Sequence, residues 1–148
     1  MLKPASERGL RIAAAVAVAF GLLTLGEGGT VLFGGEAARL EAGHYVPFVL
    51  WFNFLAGFVY VVAGAGLWAR RRWAVWLALA IAVCTAMVFA ALGIHILLGG
   101  AFEARTVAAM SLRTTVWAVI FTHAYRRTAA EAQTRSATHE RGAPKGQP

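Results

Sequence analysis

Residues 73–98 read WAVWLALAIAVCTAMVFAALGIHILL. This stretch contains no acidic residue, no lysine and no arginine, and it exceeds the roughly 20 apolar residues that a helix needs to cross a bilayer. Alanine recurs at every fourth position along it, at Ala74, Ala78, Ala82, Ala86 and Ala90. At about 3.6 residues per turn, this spacing keeps the alanines near one helix face, where a neighbouring helix can approach closely. The stretch therefore predicts a membrane-spanning helix with a packing face of small side chains.

Three further stretches have a similar character. They cover about residues 12–33, 45–69 and 106–125, and none of them alternates apolar and polar residues as a half-buried strand does. The connections between the four stretches are short, which makes sequence neighbours antiparallel partners in space. The sequence therefore predicts an all-α integral membrane protein, an up-down-up-down four-helix bundle over residues 1–127.

The composition agrees with this class. Apolar residues make up 59% of the 148 residues and charged residues 14%, against about 45–50% and about 25% in soluble globular proteins. A soluble protein of this length needs more polar surface than the chain supplies. Cys84 is the single cysteine, which excludes a disulfide scaffold, a two-cysteine redox motif and a zinc finger.

The basic residues fall mainly at one side of the predicted membrane. That side carries Lys3, Arg8 and Arg11 before the first span, Arg70, Arg71 and Arg72 between the second and third, and Arg126, Arg127, Arg135, Arg141 and Lys145 after the fourth. The opposite side carries Arg39 and Arg105. Because cytoplasmic loops retain Lys and Arg, this distribution predicts that both termini are cytoplasmic. Topology thus accounts for the net charge of +7, and we expect a lipid bilayer rather than a nucleic acid as partner. A membrane-protein partner or a homo-oligomer is left open.

The two ends of the chain have alternative interpretations. A basic leader followed by an apolar stretch is also typical of a cleaved signal peptide. We favour an uncleaved first helix, because apolar residues continue after Glu27 through 30–33 and no small-residue cleavage site follows the apolar core. Residues 128–148 lack aromatic and branched aliphatic side chains, so we predict a disordered cytoplasmic tail there.

Polar side chains are concentrated in the outer half of the predicted spans. Each ionisable group inside a span costs about 2.5–3.5 kcal/mol on insertion scales and therefore needs a reason. Arg113 lies about 10 Å below the outer end of the fourth span, at 1.5 Å per residue. The residues predicted to line an outward-facing polar cup, at least one from each helix or its outer end, are Glu27, His44, Asn53, His95, Glu103 and Arg113.

We interpret this cup as a site for a small ligand, a quinone or a metal. In the ligand interpretation Arg113 is the anchor, Glu27 its counter-charge and Asn53 an orienting amide, with His95 and Glu103 nearer to solvent. In the metal interpretation the ligands are His44, His95 and Glu103, since imidazole and carboxylate suit zinc, iron or copper. The two histidines would also suit the axial positions of a haem. Nucleophile–base pairs and nucleotide-binding motifs are not seen in the sequence, so the cofactor and any enzymatic activity are left open.

Two other classes of function compete with ligand binding. The polar cluster is also typical of groups that only fix the register between helices, with Glu27 paired to Arg113 and Asn53 satisfying leftover donors. In that case the chain is a structural or partner-binding membrane subunit. A transporter is disfavoured, because the inner half of the spans offers little more than Tyr60, Cys84 and Thr85.

A basic leader runs into Arg11-Ile-Ala-Ala, and glycines interrupt the first predicted helix at Gly21, Gly26 and Gly28. Together with four spans and a cytoplasmic N-terminus, this order of parts resembles the DoxX-like family of small bacterial four-helix membrane proteins. The resemblance covers about residues 8–127 at the level of architecture, and residues 99–107 and Leu112-Arg113-Thr114 lie outside its pattern. It implies a protein of the bacterial inner membrane associated with quinone or redox chemistry, as a redox-associated or accessory subunit. It implies no catalytic residue in this chain.

Overall fold

The protein is described by a computed structural model that covers residues 4–142. Within these residues the chain forms five helices and no strand, which confirms the predicted all-α class. The helices are α1 (Pro4–Phe33), α2 (Gly35–Ala42), α3 (Pro47–Trp68), α4 (Arg72–Leu97) and α5 (Ala104–Gly142).

Three helices of the described chain are long and apolar enough to cross a membrane. They are Arg8–Phe33 within α1, Pro47–Trp68 and Arg72–Leu97. These match the first three predicted spans and support the membrane-protein class. The fourth predicted span, 106–125, lies within α5 and is more polar, because it contains Arg113, His123 and several Ser and Thr residues.

Helices α1 and α3 form the most extensive pair and approach each other through glycine. A Cβ atom added at Gly21 would lie 2.8 Å from the Gly57 carbonyl oxygen, and one at Gly64 would lie 2.9 Å from the Ala14 carbonyl oxygen. Both positions therefore require the absence of a side chain, as expected for helices that pack backbone to backbone. Ala14 of α1 lies against Gly64 of α3, whereas Gly21, later in α1, lies against Gly57, which comes earlier in α3. The two helices are therefore antiparallel.

The alanine face of α4 is packed over only part of its length. Ala74 and Ala78 are buried, whereas Ala86 and Ala90 are exposed. A four-residue step advances about 400° around a helix, so each step turns the face by about 40°. Over four steps this drift carries the alanines away from the neighbouring helices. The predicted alanine face therefore packs against other helices near the start of α4 but not near its end.

Two buried clusters hold the helices together. The larger one is centred on Tyr60 of α3 and Trp117 of α5, whose ring centroids are 4.7 Å apart, and it contains alanines of α1, α3, α4 and α5. The smaller cluster consists of Val46, Val49, Leu92 and Met110. On α5, Met110 belongs to the smaller cluster and Trp117 to the larger one. The inward-facing residue between them is Arg113.

The short helix α2 fills the region between the first two predicted spans, where no helix was predicted. It begins after Gly34, and positive φ angles at Gly35 and Gly43 let the chain turn at both of its ends. Glycine suits these positions because a side chain disfavours positive φ. The turns bring α2 back over α1 and next to the start of α5, where the Arg105 guanidinium donates a hydrogen bond to the Glu41 carbonyl oxygen at 2.8 Å.

The C-terminal region differs from the predicted disordered tail at 128–148. In the structure α5 continues as helix to Gly142. This segment is rich in alanine, the strongest helix former, and it extends a helix that is already nucleated. Residues 143–148 lie outside the described residues, so that part of the predicted tail is not addressed.

Candidate functional site

Arg113 points into the protein because it lies on the buried face of α5. Met110 and Trp117, one turn before and one turn after it on α5, are both fully buried, and residues at this spacing share a face. The Arg113 side chain is accordingly only 6% exposed. Its Nη2 donates a hydrogen bond to Thr24 Oγ1 of α1 at 3.2 Å, and its guanidinium carbon lies 5.8 Å from the centre of the Phe20 ring.

Most of the hydrogen-bonding capacity of Arg113 is unused by the protein. Its Nε is buried without a partner, and the bond to Thr24 is its one hydrogen bond to the described residues. No carboxylate of the described chain forms an ion pair with it. Leaving a buried donor unpaired costs about 1–3 kcal/mol, and more when the group is charged. The guanidinium is therefore a strong, unsatisfied donor group.

Asn53 is the second buried polar side chain of this region. On α3 it shares a face with the buried residues Val49, Ala56 and Tyr60, and it is 9% exposed. Its Oδ1 is buried without a hydrogen-bond partner, and its side-chain amide makes no hydrogen bond to the described part of the chain. Asn53 thus offers an unused acceptor and an unused donor.

Arg113 and Asn53 open onto the same cavity, which has a volume of about 630 Å³. This volume lies within the range of about 300–1,000 Å³ that is typical of small-molecule sites. Its walls come from α1, α2, α3 and α5 and from the residues that connect α2 to α3. The lining residues are Thr24, Gly26, Glu27, Gly28, Thr30, Val31, Ala38, Glu41, Ala42, Tyr45, Leu50, Asn53, Arg105, Thr106, Ala109 and Arg113.

Charge is distributed unevenly within the cavity. Arg113 is buried, whereas Glu27, Glu41 and Arg105 are exposed. We call the buried part, formed by Thr24, Asn53 and Arg113, the floor, and the exposed charged residues the rim. Neither rim carboxylate forms an ion pair with an arginine within the part of the chain that the structure describes. The cavity therefore has a positive floor and unpaired negative groups at its rim.

Three of the residues predicted for ligand binding are brought together here. Glu27, Asn53 and Arg113 all line the cavity, although they come from three different helices. Glu27 and Arg113 form no direct ion pair in the described chain, because the Thr24 hydroxyl accepts the Arg113 hydrogen bond and Glu27 lies at the rim. Glu27 still lies close enough to attract the Arg113 charge, as its predicted role of counter-charge requires.

His95, predicted as a fourth ligand-binding residue, lies outside the cavity lining. Its Nε2 is 3.2 Å from the Ala101 carbonyl oxygen, and its ring packs edge-on against Phe48. Gly99 adopts a positive φ, and Gly100 lies directly against the imidazole, so the chain turns back tightly over His95. The histidine therefore closes the turn between α4 and α5.

The predicted metal residues are not gathered into one site. His44 and Glu103 are in contact, with the His44 backbone N–H donating to Glu103 Oε1 at 2.8 Å and the His44 Nδ1 3.6 Å from the same oxygen. His95 is instead engaged with Ala101. Among residues 4–142 as described, no three His, Cys, Asp or Glu side chains are grouped so that they could hold a metal ion. The contact of His44 with Glu103 ties the start of α3 to the start of α5.

Sequence reasoning missed the contribution of α2 and of the start of α5. Glu41 and Arg105 line the cavity, but neither was among the predicted site residues. One signal was available, because Ala38, Glu41 and Ala42 have the spacing of three and four residues that places side chains on one face of a helix. Their meeting with Arg105 depends on the two turns at Gly35 and Gly43, which no periodicity reveals.

Comparisons of the chain with protein-family models, with curated proteins and with solved structures give no match. The resemblance to the DoxX-like family therefore rests on the order of the sequence features alone and stays a prediction. The case for a function depends on the cavity itself.

Proposed function

We propose that the chain is a four-span protein of the bacterial inner membrane, with both termini in the cytoplasm. Residues 106–125 of α5 form the fourth span. This segment is more polar than the other three, but Met110, Trp117 and Ile120 are buried against them and Arg113 faces the interior, which removes its charge from the lipid. A fourth span also places the basic residues that follow it on the same side as Arg70–Arg72, in agreement with the positive-inside rule.

The function that the cavity supports best is the binding of a small polar molecule from the non-cytoplasmic side. The observation that carries this proposal is the pair of buried, unsatisfied side chains, Arg113 and Asn53, at one cavity floor. Buried polar groups are nearly always hydrogen-bonded in proteins, so two such groups at one cavity call for a partner. A ligand with acceptor groups would engage the remaining N–H groups of the Arg113 guanidinium and of the Asn53 amide.

A second candidate is a structural subunit in which the polar residues only join helices. The bond between Arg113 and Thr24, which connects α5 to α1, favours it. It leaves most of the guanidinium donors and the whole Asn53 amide unused, however, and it gives no role to a cavity of about 630 Å³. We therefore place it second.

A cavity-filling substitution tests ligand binding. Ala109 lines the cavity, and its neighbour Ala108 is exposed and does not. The wild-type chain, Ala109→Phe and the control Ala108→Phe are purified in mild detergent, and bound molecules are identified by native mass spectrometry followed by extraction. We expect a small molecule at about one per chain with the wild type and with Ala108→Phe, and its loss with Ala109→Phe. A wild-type protein free of small molecules, or occupancy unaffected by Ala109→Phe, contradicts the proposal.

A further inference from the structure

We propose that the molecule bound in this cavity is an α-amino acid group, a carboxylate and an ammonium carried on one carbon atom. This inference rests on the proposed ligand-binding function and names the chemical class of the ligand. It follows from three features of the cavity lining: the donors of the floor, the acceptors above them and the balance of charge.

The floor provides the site for the carboxylate. The Arg113 guanidinium is planar and matches a carboxylate with two parallel N–H···O bonds, an arrangement stronger than hydrogen bonds between neutral groups. Only its Nη2 is engaged, with Thr24. Because the guanidinium is buried and no protein carboxylate is in direct contact with it, a ligand carboxylate can lie directly against it.

The groups beside Arg113 provide the site for the ammonium. Asn53 Oδ1 is fully enclosed by the protein, so the charged acceptors that meet the cavity are the exposed carboxylates of Glu27 and Glu41. Glu27 stands one turn along α1 from Thr24, lines the same cavity and has no ion-pair partner among the described residues. An ammonium has three donors and no acceptor, so a carboxylate such as that of Glu27 is the partner it requires.

The balance of charge favours a zwitterion over a simple ion. The charged residues of the lining are two glutamates, Glu27 and Glu41, and two arginines, Arg105 and Arg113, so their formal charges cancel. A lone anion or a lone cation would leave the lining and its ligand with one uncompensated formal charge. A zwitterion leaves the balance unchanged. The remaining walls include Val31, Tyr45 and Leu50, which suit an apolar side chain on the ligand.

Matched probes test this chemistry on the full chain in phosphatidylcholine nanodiscs. L-Leucine carries both groups, 4-methylpentanoate lacks the amine, and 3-methylbutylamine lacks the carboxylate. By isothermal titration we expect L-leucine to bind at least about tenfold more tightly than either analogue, since one charge-assisted hydrogen bond contributes that much. Glu27→Gln should weaken L-leucine binding about tenfold and leave 4-methylpentanoate unchanged. The control Glu36→Gln, an exposed glutamate outside the cavity lining, should change neither.

The same group occurs free in solution and as the headgroup of phosphatidylserine. A second set of nanodiscs containing phosphatidylserine distinguishes the sources: weaker apparent L-leucine binding there, but not in phosphatidylglycerol nanodiscs, identifies the lipid. Both outcomes support the inference. Equal binding of 4-methylpentanoate and L-leucine overturns it and leaves the ligand-binding function intact, and so does binding of none of the probes while another molecule still co-purifies. If no probe binds and no molecule co-purifies with the wild type, the proposed function fails as well.

Discussion

Thr24 and Arg113 are 89 residues apart in the chain, yet the Thr24 hydroxyl accepts a hydrogen bond from the Arg113 guanidinium at 3.2 Å with both side chains buried. The bond links α1 to α5, the helix that contains the least apolar predicted span. It also fixes one edge of the guanidinium and leaves the others free. Thr24 is therefore expected to position Arg113 for the cavity as well as to hold the two helices together.

Replacing Thr24 tests this positioning. We expect Thr24→Val to lower the free energy of unfolding by about 1.5–3 kcal/mol, the range for a hydrogen bond to a charged group, and Thr24→Ser to stay close to the wild type. Unfolding in a denaturing-detergent titration followed by circular dichroism measures both. Thr30→Val is the control, because the Thr30 hydroxyl is exposed and bonds only to the Gly26 carbonyl oxygen of its own helix. Equal effects of Thr24→Val and Thr30→Val would show that the bond contributes nothing specific.

Substitution of Arg113 distinguishes a ligand-binding site from a purely structural contact between helices. A buried guanidinium without an ion-pair partner keeps a desolvation cost of several kcal/mol, and an apolar residue in its place removes that cost. We expect Arg113→Leu to unfold no more easily than the ligand-free wild type and to lose the co-purifying molecule. If Arg113→Leu instead fails to fold and Glu27→Leu in the same chain restores folding, the two residues serve helix packing and the ligand site is wrong.

The convergence of Glu27, Asn53 and Arg113 could be predicted because each residue occupies a comparable depth in its own predicted span. Depth follows from counting residues along a helix, and a polar group inside a span has few directions available other than the interior. For these three the sequence was sufficient.

The position of His95 could not be predicted in the same way. His95 lies at a depth in its span that would allow it to line the predicted cup. The position of its ring is determined instead by the positive φ angle at Gly99 and by the close approach of Gly100. Glu41 and Arg105 were missed for a related reason, since turns at Gly35 and Gly43 place them. Periodicity gives the face and depth of a residue, whereas turns decide which faces meet.

The glycine contact of α1 with α3 predicts a sharp contrast between two alanine substitutions. A Cβ atom at Gly57 would lie 2.8 Å from Leu25 Cγ and 3.1 Å from the Gly21 carbonyl oxygen, so the helices must separate. We expect Gly57→Ala to lower the free energy of unfolding by about 1–3 kcal/mol, the usual cost of overpacking. At Gly93, also within a helix, nothing lies within 4 Å of the added atom. Gly93→Ala should therefore raise stability by about 0.5–1 kcal/mol through helix propensity.

The same unfolding titration measures both variants. A Gly57→Ala chain as stable as Gly93→Ala would mean that α1 and α3 do not depend on close approach. In that case, loss of stability in variants of the neighbouring cavity could not be attributed to its polar groups alone, because the helices that form its walls would be free to shift.

Cysteine accessibility tests whether α5 crosses the membrane. In a Cys84→Ser background, single cysteines replace Ala37 in α2, Ala69 between α3 and α4, and Ala129 in α5, all of them exposed positions. Intact cells treated with a membrane-impermeant maleimide should label Ala37→Cys. The maleimide should label Ala69→Cys and Ala129→Cys only after the cells are permeabilised, since four spans return the chain to the cytoplasm. Labelling of Ala129→Cys in intact cells, with Ala69→Cys still protected, would show three spans. Arg113 would then lie in a helix outside the membrane, and its desolvation would no longer argue for a bound ligand.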